Sequence, residues 1–199
     1  MNWRKGPDVG TLPFRFPLLM TDAAPASGFS RRWLWFLGAV VGGVVLVALF
    51  LRVNLTPSVA TGVYLRVPEA LAPGEPAVGD LVMGCIPPGA ASQTALERAY
   101  LRRTRTGCAS GVVPVTKRVR AVGGQTVRVS DEGVWVDGVQ ASGTPRTQDR
   151  LGRPLAPAYG TWPIGPGEVW ASSDVENGFD SRYFGPIRPT ARAWLLLAF

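Results

Sequence analysis

The sequence predicts a mainly β domain carried on a single N-terminal transmembrane helix. Two observations lead there. An uncharged apolar run, "WLWFLGAVVGGVVLVALFL" at residues 33–51, stands near the N-terminus. After it the chain is mostly short apolar runs interrupted by glycine and proline, of which the 199 residues contain 24 and 18. Short runs punctuated in this way read as strands joined by turns. With 46% hydrophobic residues and a mean hydropathy of +0.13, the chain can bury one core and carry one accessory segment.

In chain order, residues 1–30 read as a cytoplasmic tail with proline and glycine scattered through it, residues 31–52 as the anchor, and residues 53–199 as the exported domain. At 1.5 Å per residue the apolar run spans about 28 Å, the thickness of a bilayer's hydrocarbon. Arg4, Lys5, Arg15, Arg31 and Arg32 precede it, and only Arg52 and Arg66 stand close behind it. The positive-inside rule then keeps the N-terminus in the cytoplasm and exports the chain beyond the anchor. A cleaved secretory signal is the competing reading, with "SVA" at Ser58–Ala60 as its cleavage site. The run is longer than an ordinary signal core and a long tail precedes it, which favours a retained anchor.

Strands are expected at residues 61–67, 80–86, 114–122, 125–140, 167–173 and 191–199, with "SDEG" and "DG" as hairpin turns inside the fourth. One helix is expected over 92–103. Residues 141–166, rich in proline and glycine, read as a long surface excursion. "WLLLAF" at the C-terminus is too short to span a bilayer and is expected to be a buried last strand; an apolar edge at the membrane surface is the alternative. Cys85 and Cys108 are the only cysteines. In an oxidising compartment they are expected to form a disulfide closing a loop of about 24 residues.

The chain has no histidine. That excludes a Ser-His-Asp triad, a Cys-His dyad and histidine metal sites, so no metal or other cofactor is expected. The net charge of +7 comes without any nucleic-acid-binding motif, and no nucleic-acid partner is expected. Attention falls on lysine, which occurs only at Lys5 and Lys117. In a strand over "PVTKRVRAV", Val113, Val115, Val119 and Ala121 share one face with Lys117. Pattern alone leaves two readings open. Lys117 snorkels to solvent at a strand edge, or it is buried, loses its proton readily and serves as a base.

"NLTPSVATGVYLRV", just past the anchor, resembles the nucleophile box of membrane-bound Ser/Lys signal peptidases, above all the conjugative-transfer, TraF-type branch that matures pilin. Asn54, Thr56, Ser58, Gly62 and Tyr64 carry the likeness. "KRVRAVGGQTVRV" is similar to the lysine box, and "SDVENGFDSRYFG" to the third box through Asp180, Ser181, Arg182, Phe184 and Gly185. The resemblance implies a signal-peptidase-like β domain in a bacterial inner membrane, facing the periplasm. It implies Ser58 as nucleophile and Lys117 as general base. The oxyanion would be held by the Ser58 backbone N–H and the Thr56 hydroxyl, and Asp174, Asp180 and Arg182 would support the site. Cleavage after a small side chain would form an acyl-enzyme, released to water or, with cyclisation, to the substrate's own amine. The implied partners are the lipid bilayer, a membrane-embedded prepilin or preprotein substrate, and components of a conjugation or type IV secretion system. A housekeeping signal peptidase I and an inactive anchored scaffold of a pilus-assembly complex are the rival readings. One departure matters: where general signal peptidases place a serine that holds the lysine, this chain has Gly178. Ser172, Ser173 or a water would have to take that part.

Overall fold

The computed structural model describes residues 31–199. Helix α1, Arg31–Phe50, is long and apolar enough to cross a membrane. The chain divides within it into two units, residues 1–41 and 42–199. In the first, the described residues are the opening turns of α1, where Trp33 and Phe36 meet edge to face at 5.8 Å. The anchor expected to reach residue 52 ends as a helix at Phe50. The Arg52 guanidinium then donates to the carbonyls of Ala48 (2.6 Å) and Leu51 (2.8 Å), supplying donors to carbonyls at the helix end.

The second unit is built from ten strands: β1 (Leu51–Asn54), β2 (Gly62–Pro68), β3 (Leu81–Gly84), β4 (Val115–Val122), β5 (Thr126–Ser130), β6 (Gly133–Val136), β7 (Val139–Ser142), β8 (Gly160–Pro163), β9 (Val169–Ser172) and β10 (Pro189–Ala198). They form two antiparallel sheets, β1-β2-β10-β3-β4-β9 and β7-β6-β5-β8. The expected hairpins are present. Asp137 and Gly138 form a two-residue loop between β6 and β7 with φ of 49° and 84°, the backbone that Asp-Gly tolerates. β4 alternates without a break: Val115, Lys117, Val119 and Ala121 are buried, and the residues between them are half-exposed. Val82, Ile86, Val115, Val119, Val169 and Ala171 make one core cluster with Phe184 and Ile187. Ala121, Val127, Val129, Val134 and Trp170 belong to a second.

Three expectations need correction. The helix expected over 92–103 is α2, Ala90–Glu97. The chain leaves it through Ala99 at φ 55°, with the N–H groups of Tyr100 and Leu101 both donating to the Ala95 carbonyl. Leu101 is drawn onto the core and Tyr100 onto Phe179, so tertiary contacts override helical propensity. The excursion at 141–166 contains strand β8, which pairs with β5 at the edge of the second sheet. Its flanking Gly160 and Pro163 look like breakers, but an edge strand tolerates both. Finally, β10 is the last strand, but its end is not buried. Ala191–Ala193 lie between β2 and β3, whereas beyond Ala193 only β2 continues as a partner, and residues 194–199 are exposed.

A third helix, α3 (Ser181–Phe184), comes after β9. The Cys85–Cys108 disulfide forms, with 23 residues of separation and a Cα–Cα distance of 5.4 Å, and ties the end of β3 to the segment before β4. Replacing both cysteines with serine should lower unfolding stability by about 3 kcal/mol, read as a lower denaturant midpoint of the full-length protein in detergent. An unchanged midpoint would show that the loop is held without the bridge.

Candidate active site

Ser58 sits in the loop between β1 and β2, and Asn54 organises that loop. The Asn54 Oδ1 accepts from the Thr56 backbone N–H (3.1 Å) and the Thr56 hydroxyl (2.7 Å). Its Nδ2 donates to the carbonyls of Thr56 (2.9 Å), Val59 (3.2 Å) and Ala60 (3.1 Å). Tyr64 on β2 reaches back to donate to the Ala60 carbonyl at 2.5 Å, and Val59 is buried against Tyr64 and Ala193. Gly62 is required for another reason. A Cβ there would lie 2.2 Å from the Leu197 carbonyl oxygen, so only glycine lets β10 approach β2 at this point.

The Ser58 and Thr56 hydroxyl oxygens are 3.2 Å apart. Thr56 has one hydroxyl proton, and Asn54 takes it. The proton between the two hydroxyls is therefore that of Ser58, directed at Thr56.

Lys117 is only 5% exposed, and its Nζ lies 2.7 Å from the Ser173 hydroxyl. It is not a snorkelling lysine. Burial pushes its pKa below the ordinary lysine range; the negative charge of Asp180 opposes this and Arg182 reinforces it. Ser173 is itself held. Its backbone N–H donates to Asp180 Oδ2 at 2.8 Å. Asp180 is fully buried and accepts from Arg182 through both side-chain oxygens, at 2.9 and 2.8 Å, and from the Arg182 backbone at the start of α3. Arg182 also donates to the Gly178 carbonyl at 3.3 Å. Gly185, at φ 76°, ends α3 by donating to the Ser181 carbonyl at 2.9 Å.

Of the groups that could hold Lys117, the structure selects Ser173. Ser172 accepts from Arg120 Nε at 3.0 Å instead. The glycine at 178 is explained by the same geometry, because a Cβ there would stand 2.0 Å from the Ser173 Oγ. A hydroxyl from position 173 and a side chain at position 178 exclude each other.

Asp174 lies on the polar side of β4. Arg118 grips it with two bonds of 2.8 Å, and Arg120 adds a third at 3.1 Å. The Arg118 hydrogen bonds hold its carboxyl below the usual carboxylate range. The Asp174 backbone N–H donates to the Ser58 carbonyl at 2.8 Å, joining the Ser58 loop to the segment that carries Ser173.

Ser58, Lys117, Thr56 and Gly178 line one cavity of about 320 Å³. Among the described residues, Lys117 hydrogen-bonds Ser173 and Ser58 hydrogen-bonds Thr56, with no bond between Lys117 and Ser58. Catalytic hydrogen bonds are often long in unliganded enzymes and tighten with substrate. The far wall, with Tyr100, Asp149, Leu155 and Phe179, was not foreseen from sequence. It is made by the exit from α2, the irregular segment before β8 and the loop between β9 and α3, which have no periodicity to read.

The sequence has matches among known proteins. Residues 29–192 fit the family described as "Signal peptidase, peptidase S26". The chain belongs to this family. It is 40% identical over 164 residues to "Conjugal transfer protein TraF" of Agrobacterium tumefaciens (strain 15955), covering 79% of this chain and 89% of that protein. It is 36% identical over 161 residues to "Plasmid transfer protein TraF" of Escherichia coli, covering 75% and 86%. A third relative, "Probable conjugal transfer protein TraF" of Sinorhizobium fredii, is 41% identical over 138 residues, covering 68% and 69%. No solved structure matches the chain. For this S26 chain the folded domain thus explains residue by residue why its boxes read as they do: Asn54 and Tyr64 shape the serine loop, Gly62 admits β10, and Asp180 and Arg182 fix Ser173.

Two substitutions probe this arrangement. Asn54→Ala removes the bonds that shape the Ser58 loop. Misplacing a reacting group by about 1 Å costs roughly 10²-fold in rate, so turnover of any cleaved substrate should fall by about that factor with little change in the fold's melting temperature. For Lys117 the effect on stability depends on pH. The folded chain binds fewer protons at this amine than the unfolded chain between the lowered value and about 10.4. The burial cost is full below that window and fades as pH rises through it. Lys117→Met should therefore raise the melting temperature at pH 7, and the gain should shrink toward pH 10. A variant that melts lower at pH 7 would mean the amine stabilises the fold.

Proposed function

We propose that the protein is a membrane-anchored serine endopeptidase that matures a pilin-like precursor of a conjugation system, with Ser58 as nucleophile and Lys117 as general base. The observation that carries this reading is Lys117 itself: an amine buried in an apolar row, held by Ser173, lining the same cavity as Ser58. Burial lowers its pKa and so favours the neutral amine, the form a proton acceptor requires.

In the reaction, the Ser58 Oγ turns from Thr56 toward Lys117 and gives up its proton as it attacks the scissile carbonyl. The Ser58 backbone N–H and the Thr56 hydroxyl, released from Asn54, donate to the oxyanion. Such donors supply about 3 kcal/mol each. Lys117, now an ammonium, protonates the leaving amine and leaves an acyl-enzyme. Water or the substrate's own N-terminal amine then attacks with Lys117 again accepting the proton, and Lys117 returns that proton to the Ser58 Oγ as the ester bond breaks; the first gives a trimmed protein and the second a circular one.

The setting is supported by the relatives, which carry conjugal and plasmid transfer names. The basic residues before α1 favour a cytoplasmic N-terminus and a periplasmic domain. The exposed end of β10, with Trp194, Leu195, Leu196, Leu197 and Phe199, suits contact with the membrane surface. It adjoins the nucleophile loop through Phe199 and Thr61, whose backbones meet at 3.3 Å. A precursor with a transmembrane segment would meet the site there.

The test is the intact mass of a co-expressed pilin precursor with wild-type protein and with Ser58→Ala. Wild type should yield a shortened product, and Ser58→Ala should lower its rate at least about 10³-fold. A further loss of one water would reveal cyclisation. Shortening that persists with Ser58→Ala would exclude Ser58 as nucleophile, and an untouched precursor across pilins of the same transfer system would favour the scaffold reading.

A further inference from the structure

We propose that the far wall of the Ser58–Lys117 cavity is a subsite for one large apolar or aromatic side chain of the substrate, a few residues at most from the scissile bond. The inference rests on the peptidase reading and adds a requirement to it: a small side chain at the cut bond, and a bulky one nearby.

The wall is preformed. Phe179 stacks on Tyr183 with ring centroids 5.3 Å apart and planes 9° apart, and leans on Tyr100 at 5.3 Å. Phe179 also meets Phe184 of the core edge-on at 5.8 Å, and Leu101 packs on the same core. Rings fixed in this way cannot collapse into the space beside them.

Both tyrosine hydroxyls are already engaged, by residues 146 and 149 of a segment that also lines the cavity. The Tyr183 hydroxyl accepts from the Arg146 backbone N–H at 3.1 Å and donates to the Arg146 carbonyl at 3.2 Å. The Tyr100 hydroxyl donates to Asp149. The Asp149 carboxylate also accepts from Arg153 Nε (2.6 Å) and from the backbones of Leu151 (2.9 Å) and Arg153 (3.0 Å), with Arg98 at 3.8 Å. Burial would raise its pKa, but these donors hold it far below the carboxylate range. The carboxylate stays charged, and so able to accept these bonds, at any physiological pH. Hydrocarbon faces of Tyr100, Tyr183, Phe179, Leu101 and Leu155 are left to line the cavity.

Size and charge specify the occupant. An apolar cavity of about 150 Å³ accommodates a benzene molecule. At about 320 Å³ this one accepts an aromatic or large aliphatic side chain with its adjoining backbone, whereas an alanine methyl would leave most of it empty. Cationic occupants are disfavoured, because Arg146, Arg150 and Arg153 share the lining and the single carboxylate there, Asp149, is already paired. Since Ser58 and Lys117 form part of the same cavity, a chain bound for cleavage passes its mouth.

The test uses the full-length protein in detergent with a mixture of randomised peptides, the cut bonds mapped by mass spectrometry and Ser58→Ala as the blank. Ser58-dependent cuts should show Leu, Ile, Met, Phe or Tyr enriched about tenfold or more over Ala and Gly at one fixed position near the bond, with Lys and Arg depleted there; a missing hydrophobic contact in such a pocket costs roughly 10–200-fold. Leu155→Trp, which fills the space, should bring that large-to-small ratio toward one. Phe179→Ala, which enlarges it, should move the preference toward Trp, and serves if the first variant does not fold. Ser58-dependent cutting with no fixed-position preference would overturn the subsite and leave the peptidase reading standing. No Ser58-dependent cutting would overturn the peptidase reading and the subsite with it.

Discussion

A buried amine governs this structure. Lys117 takes a place in β4 that an aliphatic residue would fill, and an isolated ammonium there would be heavily penalised. Two features answer that constraint. The Ser173 hydroxyl gives the amine a hydrogen-bond partner, and the surrounding apolar side chains favour its neutral form. Asp180 is close enough to pull the other way, but its charge is committed to Arg182 through a pair of short bonds. A buried ion pair that is broken on one side costs about 3–5 kcal/mol. The pair is thus a mount for Ser173, and the Arg182 charge opposes the pull of Asp180 on the lysine.

That mount sets the other constraints. Ser173 and residue 178 compete for one volume, so a glycine at 178 is the consequence of a hydroxyl at 173. The resemblance to general signal peptidases places a serine at the position of Gly178. The same chemical group reaches the same amine here from another point on the same loop. Asp174, next in sequence, donates its N–H to the Ser58 carbonyl and gives its carboxylate to Arg118 and Arg120. Two adjacent residues thereby couple the lysine strand, the serine loop and the third box. In the proposed mechanism this coupling keeps nucleophile and base in register.

Much of the fold was legible in the chain. β4 could be read from strict alternation, including the anomaly at Lys117, because side-chain direction in a strand has a period of two and needs no knowledge of neighbours. The Asp-Gly loop between β6 and β7 was equally local, set by backbone conformations that few residues tolerate. The end of α2 was not legible, since Tyr100 and Leu101 leave the helix for partners far away in sequence, Phe179 and the core. β8 was hidden by its own glycine and proline, which signal a break anywhere except at a sheet edge. The exposed tail of β10 looked buried because hydropathy records what a residue prefers, whereas exposure depends on whether another strand arrives to cover it.

The sequence by itself determined an apolar helix long enough to cross a membrane, the strand-rich architecture and the pairing of the only two cysteines, and it singled out Ser58 and Lys117, on which the proposed hydrolytic reading rests. All of these are set by composition, periodicity or short motifs. Tertiary structure alone decided that Lys117 is buried, that Ser173 and not Ser172 holds it, and that an aromatic wall braced by Asp149 lines the same cavity. Those facts depend on contacts such as Lys117 with Ser173 and Tyr100 with Asp149, separated by 56 and 49 residues. No local pattern encodes which of several chemically equivalent groups a folded chain will bring within hydrogen-bonding distance.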